Sequence, residues 1–181
     1  MRRILLKSAG LLLSAVLLAH LSPDSARAQE AKDDASVAAK GIAWQPFEKA
    51  VALAEQTNKK LVVDVYAPWC PWCRRLQREV YADPAVQRYL AEHFVATRLD
   101  GDDTSTSLSF RSYDLTSNEL AQALGAEGFP TTVFLAANSD YITRLPGFVD
   151  AAEFLQILRF IGTNAYETIS YQEFAAQQSQ N

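Results

Sequence analysis

Apolar positions change their period several times along this chain, and each change marks an element. Phe47, Val51 and Ala54 recur at the spacing of one helical face, in a segment that ends at the polar Asn58-Lys59-Lys60. Residues 61–66, Leu-Val-Val-Asp-Val-Tyr, are almost continuously apolar and β-branched, as in a central strand covered on both sides, with one acid inside. The spacing predicts a helix over 71–81, a break at Asp83-Pro84 and a second helical piece over 85–92 ending at His93. Residues 94–99 read as the next strand. Residues 101–116 are polar without a clear period and read as a long surface loop. Ser117 caps a short helix carrying Leu120 and Leu124. Residues 131–135 form a strand, Asn138-Ser139-Asp140 a hairpin turn and 141–145 its partner strand. Asp150 then opens a helix with Phe154, Ile157, Leu158 and Ile161 at helical spacing. Tyr166 to Phe174 adds an aromatic segment that completes a core. Strands alternating with helices, closed by a hairpin and a helix, predict an α/β fold with a central mixed sheet flanked by helices on both faces.

The first residues have a different pattern. Arg2, Arg3 and Lys7 precede a short apolar stretch over 9–21, and Ala26-Arg27-Ala28 supplies the small-x-small motif of a signal-peptide cleavage site after Ala28. The apolar stretch is short of the roughly 20 residues of a spanning helix, so export is expected rather than anchoring. Residues 29–40, rich in Ala, Asp and Lys, read as a flexible leader. The domain proper is expected over 41–165, with 166–181 as an extension that packs on it and frays at its Gln-rich end. Cleavage removes Arg2, Arg3, Lys7 and Arg27 against Asp24, which moves the net charge from −4 to −7. An acidic domain without a basic cluster argues against nucleic acid or an anionic membrane as partner.

The chain has only two cysteines, and they stand together as Cys70-Pro71-Trp72-Cys73 between an apolar strand and Arg74-Arg75-Leu76. At a strand-to-helix junction the first sulfur meets the free amide groups and positive dipole end of the helix, and Pro71 suits its first turn. A thiol of ordinary pKa near 8.5 is about 3% thiolate at pH 7, whereas one lowered to about 6 is roughly 90% thiolate. A structural disulfide across so short a loop adds only about 2 kcal/mol in the chain-entropy model, against about 4.7 for a hundred-residue loop. The pair therefore reads as redox-active. Arg74 follows Cys73 where a c-type haem motif needs His, and outside the signal segment only His93 remains as a further soft ligand, so no metal or organic cofactor is expected. Asp64, an acid in an apolar strand, either points into a solvated gap, meets Arg98, or exchanges protons with a sulfur. Arg74, Arg75 and Arg78 read as a solvated helix face, His93 as a helix-end residue satisfied by carbonyls, and Trp72 as exposed enough to touch partners.

Trp69-Cys70-Pro71-Trp72-Cys73 after one strand, and Gly128-Phe129-Pro130-Thr131 opening another, resemble the thioredoxin superfamily over about residues 42–163. Asp83-Pro84-Ala85-Val86, Leu145-Pro146-Gly147-Phe148 and the tail at 169–174 are similar to exported thioredoxin-related proteins, including the SoxW type. The resemblance implies a thioredoxin fold and a redox-active Cys70–Cys73 disulfide. Cys70 is then the exposed attacking thiolate and Cys73 the less accessible resolving thiol. It makes Asp64 the buried acid that accepts a proton from Cys73, and Arg98 a counterpart of the lysine beside that acid. Pro130 matches the cis-proline next to the disulfide, where Phe129 backbone pairs with an extended substrate. Trp69, Trp72, Phe129 and Thr131 would form the substrate-facing surface. Implied partners are disulfide-containing periplasmic proteins and a membrane thiol-electron donor of the DsbD or CcdA type, the chain itself acting as a monomer. The Pro-Trp dipeptide departs from the Gly-Pro of thioredoxins. Potentials across these proteins span about 150 mV, so chemistry alone leaves the direction open and the subgroup favours reduction.

Overall fold

The computed structural model describes residues 41–178. The expected export signal, the leader and the frayed end of the tail lie outside the described residues.

Strands β1 (Lys60–Tyr66), β2 (Phe94–Asp100), β5 (Thr131–Leu135) and β6 (Tyr141–Pro146) form the main sheet in the order β2-β1-β5-β6. β1 runs parallel to β2 and antiparallel to β5, and β6 is antiparallel to β5, so the sheet is mixed. Side chains alternate across a strand, which splits β1 between two cores. Leu61, Val63 and Val65 join Val95, Leu99, Val133 and Leu135 under α1 (Phe47–Thr57) and α4 (Ser117–Ala123). Val62 and Phe134 lie on the opposite face, under Leu76 of α2 (Pro71–Glu79), Leu90 of α3 (Pro84–His93) and Phe154 and Leu158 of α5 (Ala151–Gly162). The same alternation sends Asp64 to the α2 side, and the register makes Arg98 and Thr132 its direct cross-strand neighbours.

Proline occupies the first turn of both α2 and α3, where its missing N–H is not needed. The Asp83 carboxylate caps α3 by accepting from the amides of Ala85 at 2.8 Å and Val86 at 3.1 Å. α4 is capped by Thr116 and not by Ser117. Thr116 and Glu119 form a reciprocal capping box, while the Ser117 hydroxyl donates to the Asp100 carbonyl at 2.7 Å and ties the helix to the end of β2.

The stretch expected to be a loop over 101–116 contains a hairpin, β3 (Ser107–Phe110) and β4 (Tyr113–Thr116). Its polar face hid the pairing, yet Leu108, Phe110 and Leu115 turn inward against the α1/α4 core, with Phe110 edge-on to Phe47 at 5.5 Å. At its tip Arg111 donates to the Ser139 carbonyl at 2.8 Å and pairs with Asp140 at 2.7 Å, joining this insertion to the β5–β6 turn. His93 also differs from expectation. Its ring lies 4.2 Å from that of Tyr89, and its Nε2 is 3.6 Å from the Glu92 carboxylate. At the C-terminal end, Phe160 of α5 meets Tyr166, Tyr171 and Phe174, the last two on α6 (Tyr171–Gln178). No helix among the described residues is long and apolar enough to cross a membrane.

Candidate active site

Cys70 and Cys73 are joined as a disulfide with Cα atoms 5.3 Å apart. Cys70 is the cap residue of α2, and its sulfur accepts a hydrogen bond from the Cys73 amide at 3.0 Å. That N–H is one of the orphan donors of the helix start, so a negative sulfur at this position gains both the bond and the dipole. The expectation that Cys70 is exposed is corrected: in the disulfide state Cys70 is 2% and Cys73 5% exposed. The cap geometry turns the first sulfur inward, where Ala67, Tyr66 and Phe129 pack around the pair.

What is exposed is an aromatic rim. Trp69 is 64% and Trp72 52% exposed. Trp69 meets the Phe129 ring edge-on at 6.0 Å and its indole N–H donates to the Asp102 carboxylate. A Cβ on Gly101 would overlap the Phe129 ring, so glycine at the end of β2 makes room for this side of the rim. On the other side Trp72 packs against Phe148 at 5.8 Å, and the Arg75 guanidinium lies over both rings, 5.3 and 4.5 Å from their centroids. Of the three helix arginines only Arg75 is ion-paired among the described residues, with Glu79 at 2.8 Å. Arg74 donates to the Pro68 carbonyl at 3.1 Å.

The Phe129–Pro130 peptide bond is cis. The Pro130 carbonyl accepts from the Gly147 amide at 2.8 Å, which joins the start of β5 to the end of β6. Thr131 is buried and its hydroxyl donates to the Gly128 carbonyl at 2.7 Å. Its side chain thus holds the turn around Pro130 and is not part of the rim.

On the α2 side of the sheet lies a polar floor in an otherwise apolar core. Asp64 is 1% exposed. Its carboxylate accepts from Arg98 Nε at 2.8 Å and from the Tyr81 hydroxyl at 3.2 Å, and the same hydroxyl is 3.5 Å from the Thr132 hydroxyl. Arg98 is held flat between the Tyr66 and Trp44 rings, 4.2 and 5.3 Å from their centroids. Burial pushes the Asp64 carboxyl above its usual range, against the opposing pull of the Arg98 charge and the bonds from Arg98 and Tyr81. Burial, reinforced by the Asp64 charge, pushes the Tyr81 hydroxyl well above its ordinary value, so it stays a neutral donor. Tyr81, Thr132 and Asp102 are not singled out by the sequence, and Phe148 enters there only within the Leu145-Pro146-Gly147-Phe148 motif. Among the described residues no group of three or more His, Cys, Asp or Glu side chains stands close enough to hold a metal ion.

Comparison with known proteins places this geometry among relatives. Residues 47–162 match the family described as a thioredoxin-like domain. The chain is 31% identical over 128 residues to the thiol:disulfide interchange protein DsbD of Yersinia pestis, a match covering 67% of this chain and 20% of that protein. It thus spans about a fifth of the length of the curated relatives it matches. Among solved structures it is similar to a thioredoxin from Thermus thermophilus, with 30% identity, a TM-score of 0.55, and 67% of this chain and 87% of that one covered. It is also similar to a putative disulphide-isomerase from Bacteroides thetaiotaomicron, with 30% identity, a TM-score of 0.53, and 66% and 92% covered.

Proposed function

The chain belongs to the thioredoxin-like family, and from that premise we propose that it is an exported thiol–disulfide oxidoreductase that reduces disulfides of periplasmic partner proteins. The observation that carries this reading is the Cys70 sulfur at the start of α2, accepting from the Cys73 amide, with a buried acid on the α2 side of the sheet. In the reduced protein the Cys70 thiolate attacks one sulfur of a partner disulfide and expels the other as a thiolate, leaving a mixed disulfide. Asp64 takes the Cys73 proton. The Cys73 thiolate then attacks Cys70, the mixed bond breaks, and the partner leaves with both electrons of the dithiol. Because burial raises the affinity of Asp64 for a proton, the transfer from a thiol is less uphill than to an ordinary carboxylate.

Pro130 and the Phe129 backbone offer an extended partner segment a strand-like seat, with Trp69, Trp72 and Phe129 as its walls. The oxidised pair is reduced again by a membrane thiol donor of the DsbD or CcdA type. The expected export signal over 1–28 and the similarity to a thiol:disulfide interchange protein support the compartment, and the SoxW-like segments favour the direction. The Pro71-Trp72 dipeptide favours one rival, the same chemistry run as an oxidant or isomerase, and a binding module with an inert disulfide is the other. Insulin reduction by wild type and Cys70→Ser separates enzyme from module: activity is expected only in wild type, and equal rates reject the enzyme. Titration against glutathione decides direction, since a potential above about −150 mV contradicts a reductase.

A further inference from the structure

A cavity of about 340 Å³ opens beside the disulfide, with Cys73 in its wall. Arg74, Gln77 and Arg78 line it from α2, and Arg98 with Tyr66 from the sheet. Positions 74, 77 and 78 form one ridge of the helix, so the two guanidinium groups stand one turn apart on the same face. Like charges at that spacing weaken a helix, and Arg74 additionally lies in the half of α2 where the dipole disfavours a cation. Only the Arg98 charge is matched, by Asp64 at 2.8 Å. Arg74 spends one donor on the Pro68 carbonyl, and Arg78 pairs with no carboxylate among the described residues, the nearby Glu79 being held by Arg75. Three cations and no carboxylate line this cleft, in a chain whose net charge is −4. A further feature is independent of charge. Gln77 lines the same wall, and its buried Oε1 has no hydrogen-bond partner among the described residues.

We propose that this cleft is a carboxylate-binding site that takes an acidic segment of the redox partner. Guanidinium forks match carboxylates in paired hydrogen bonds. The inference rests on the proposed oxidoreductase reading for the identity of its ligand, but its site does not require turnover. The partner would lay its disulfide over the aromatic rim and an Asp or Glu into the cleft behind Cys73, which fixes its orientation before exchange.

The test uses the oxidised protein, so binding is read without any redox step and a failed reductase assay leaves it intact. A cysteine-free peptide, acetyl-Ala-Glu-Glu-Ala-amide, is titrated by calorimetry at low salt, with free glutamate as a second probe. Saturable peptide binding is expected, about tenfold weaker in Arg78→Gln and in Arg74→Gln. Arg75→Gln removes the same charge from the same helix outside the cleft and should leave the affinity within about twofold. Absence of saturable binding overturns the site. Equal weakening by Arg75→Gln overturns it as well, because attraction is then only a property of the helix charge. Binding of glutamate without binding of the peptide overturns the assignment to a partner segment.

Discussion

The two sides of the disulfide are built on opposite physical terms. The rim above it, Trp69, Trp72, Phe129 and Phe148, is a set of aromatic surfaces, with both tryptophans more than half exposed. The two tryptophans contribute little to the fold and offer large, rigid contact area to a visitor. The floor below it, Asp64, Tyr81, Thr132 and Arg98, hides a carboxylate where burying a charge is costly unless it is paired and hydrogen-bonded. Every bond in the floor is satisfied from a fixed strand or helix end, so its cost is offset locally. In the proposed mechanism the contrast separates recognition, which stability hardly feels, from proton handling, which stability feels directly.

Substitution can break that contrast. The largest effect is expected for Tyr81→Ala, which empties a fully buried aromatic site next to Trp44 and Phe154 and strips a donor from Asp64. A loss of about 3–5 kcal/mol in denaturant unfolding is predicted. Tyr81→Phe keeps the ring and removes only the hydroxyl, and should cost about 1–3 kcal/mol. If it is neutral, the floor is not held by this bond.

On the rim, Trp72→Ala should change stability by no more than about 0.5 kcal/mol, since half the side chain is already in water. Its effect belongs in catalysis. For a protein disulfide substrate kcat/KM should fall about tenfold, through KM, while a small aromatic disulfide reagent is reduced at nearly the wild-type rate. Equal losses on both substrates would place Trp72 in the chemistry and dissolve the distinction.

The smallest effect is a slope. Asp64 holds its proton more tightly in the folded chain than its usual value near 3.8, so the native state binds more protons than the unfolded state in the window above that value. Stability from this group is complete below the window and is lost as pH rises through the native value. The exposed carboxylates Asp103, Glu119 and Glu173 are held low by hydrogen bonds and act in the opposite sense, losing stability only as pH falls into the acid range. Above the ordinary carboxylate range the Asp64 contribution therefore stands apart. Wild-type stability should decline with pH there, and Asp64→Asn should flatten the curve. A slope that survives the substitution contradicts the buried acid as its source.

Much of this was legible because it is local. Strand, cysteine pair and helix follow one another within about twenty residues, and an acid inside an apolar strand stands out by composition alone. The gap between Asp64 and Cys70 carries the rest of the signal, since both belong to one strand-turn-helix unit. Tyr81 and Thr132 were invisible for the converse reason. Their approach to Asp64 depends on where α2 ends over the sheet and on the β1–β5 register, neither of which a local pattern encodes. The β3–β4 hairpin was obscured by serines and aspartates on its solvent side, although Leu108 and Phe110 carry the two-residue period of a half-buried strand. The burial of Cys70 was missed because a sequence shows which residue caps a helix but not which way its sulfur turns.

Alkylation of the freshly reduced protein by iodoacetamide from pH 4 to 9, with the labelled sulfur identified by peptide mapping, tests the central claim most directly. Cys70 is predicted to react first, with a midpoint well below the ordinary thiol value of about 8.5, while Cys73 is spared. Labelling of both sulfurs at the same rate, with a midpoint near that ordinary value, would contradict an activated thiolate at the start of α2.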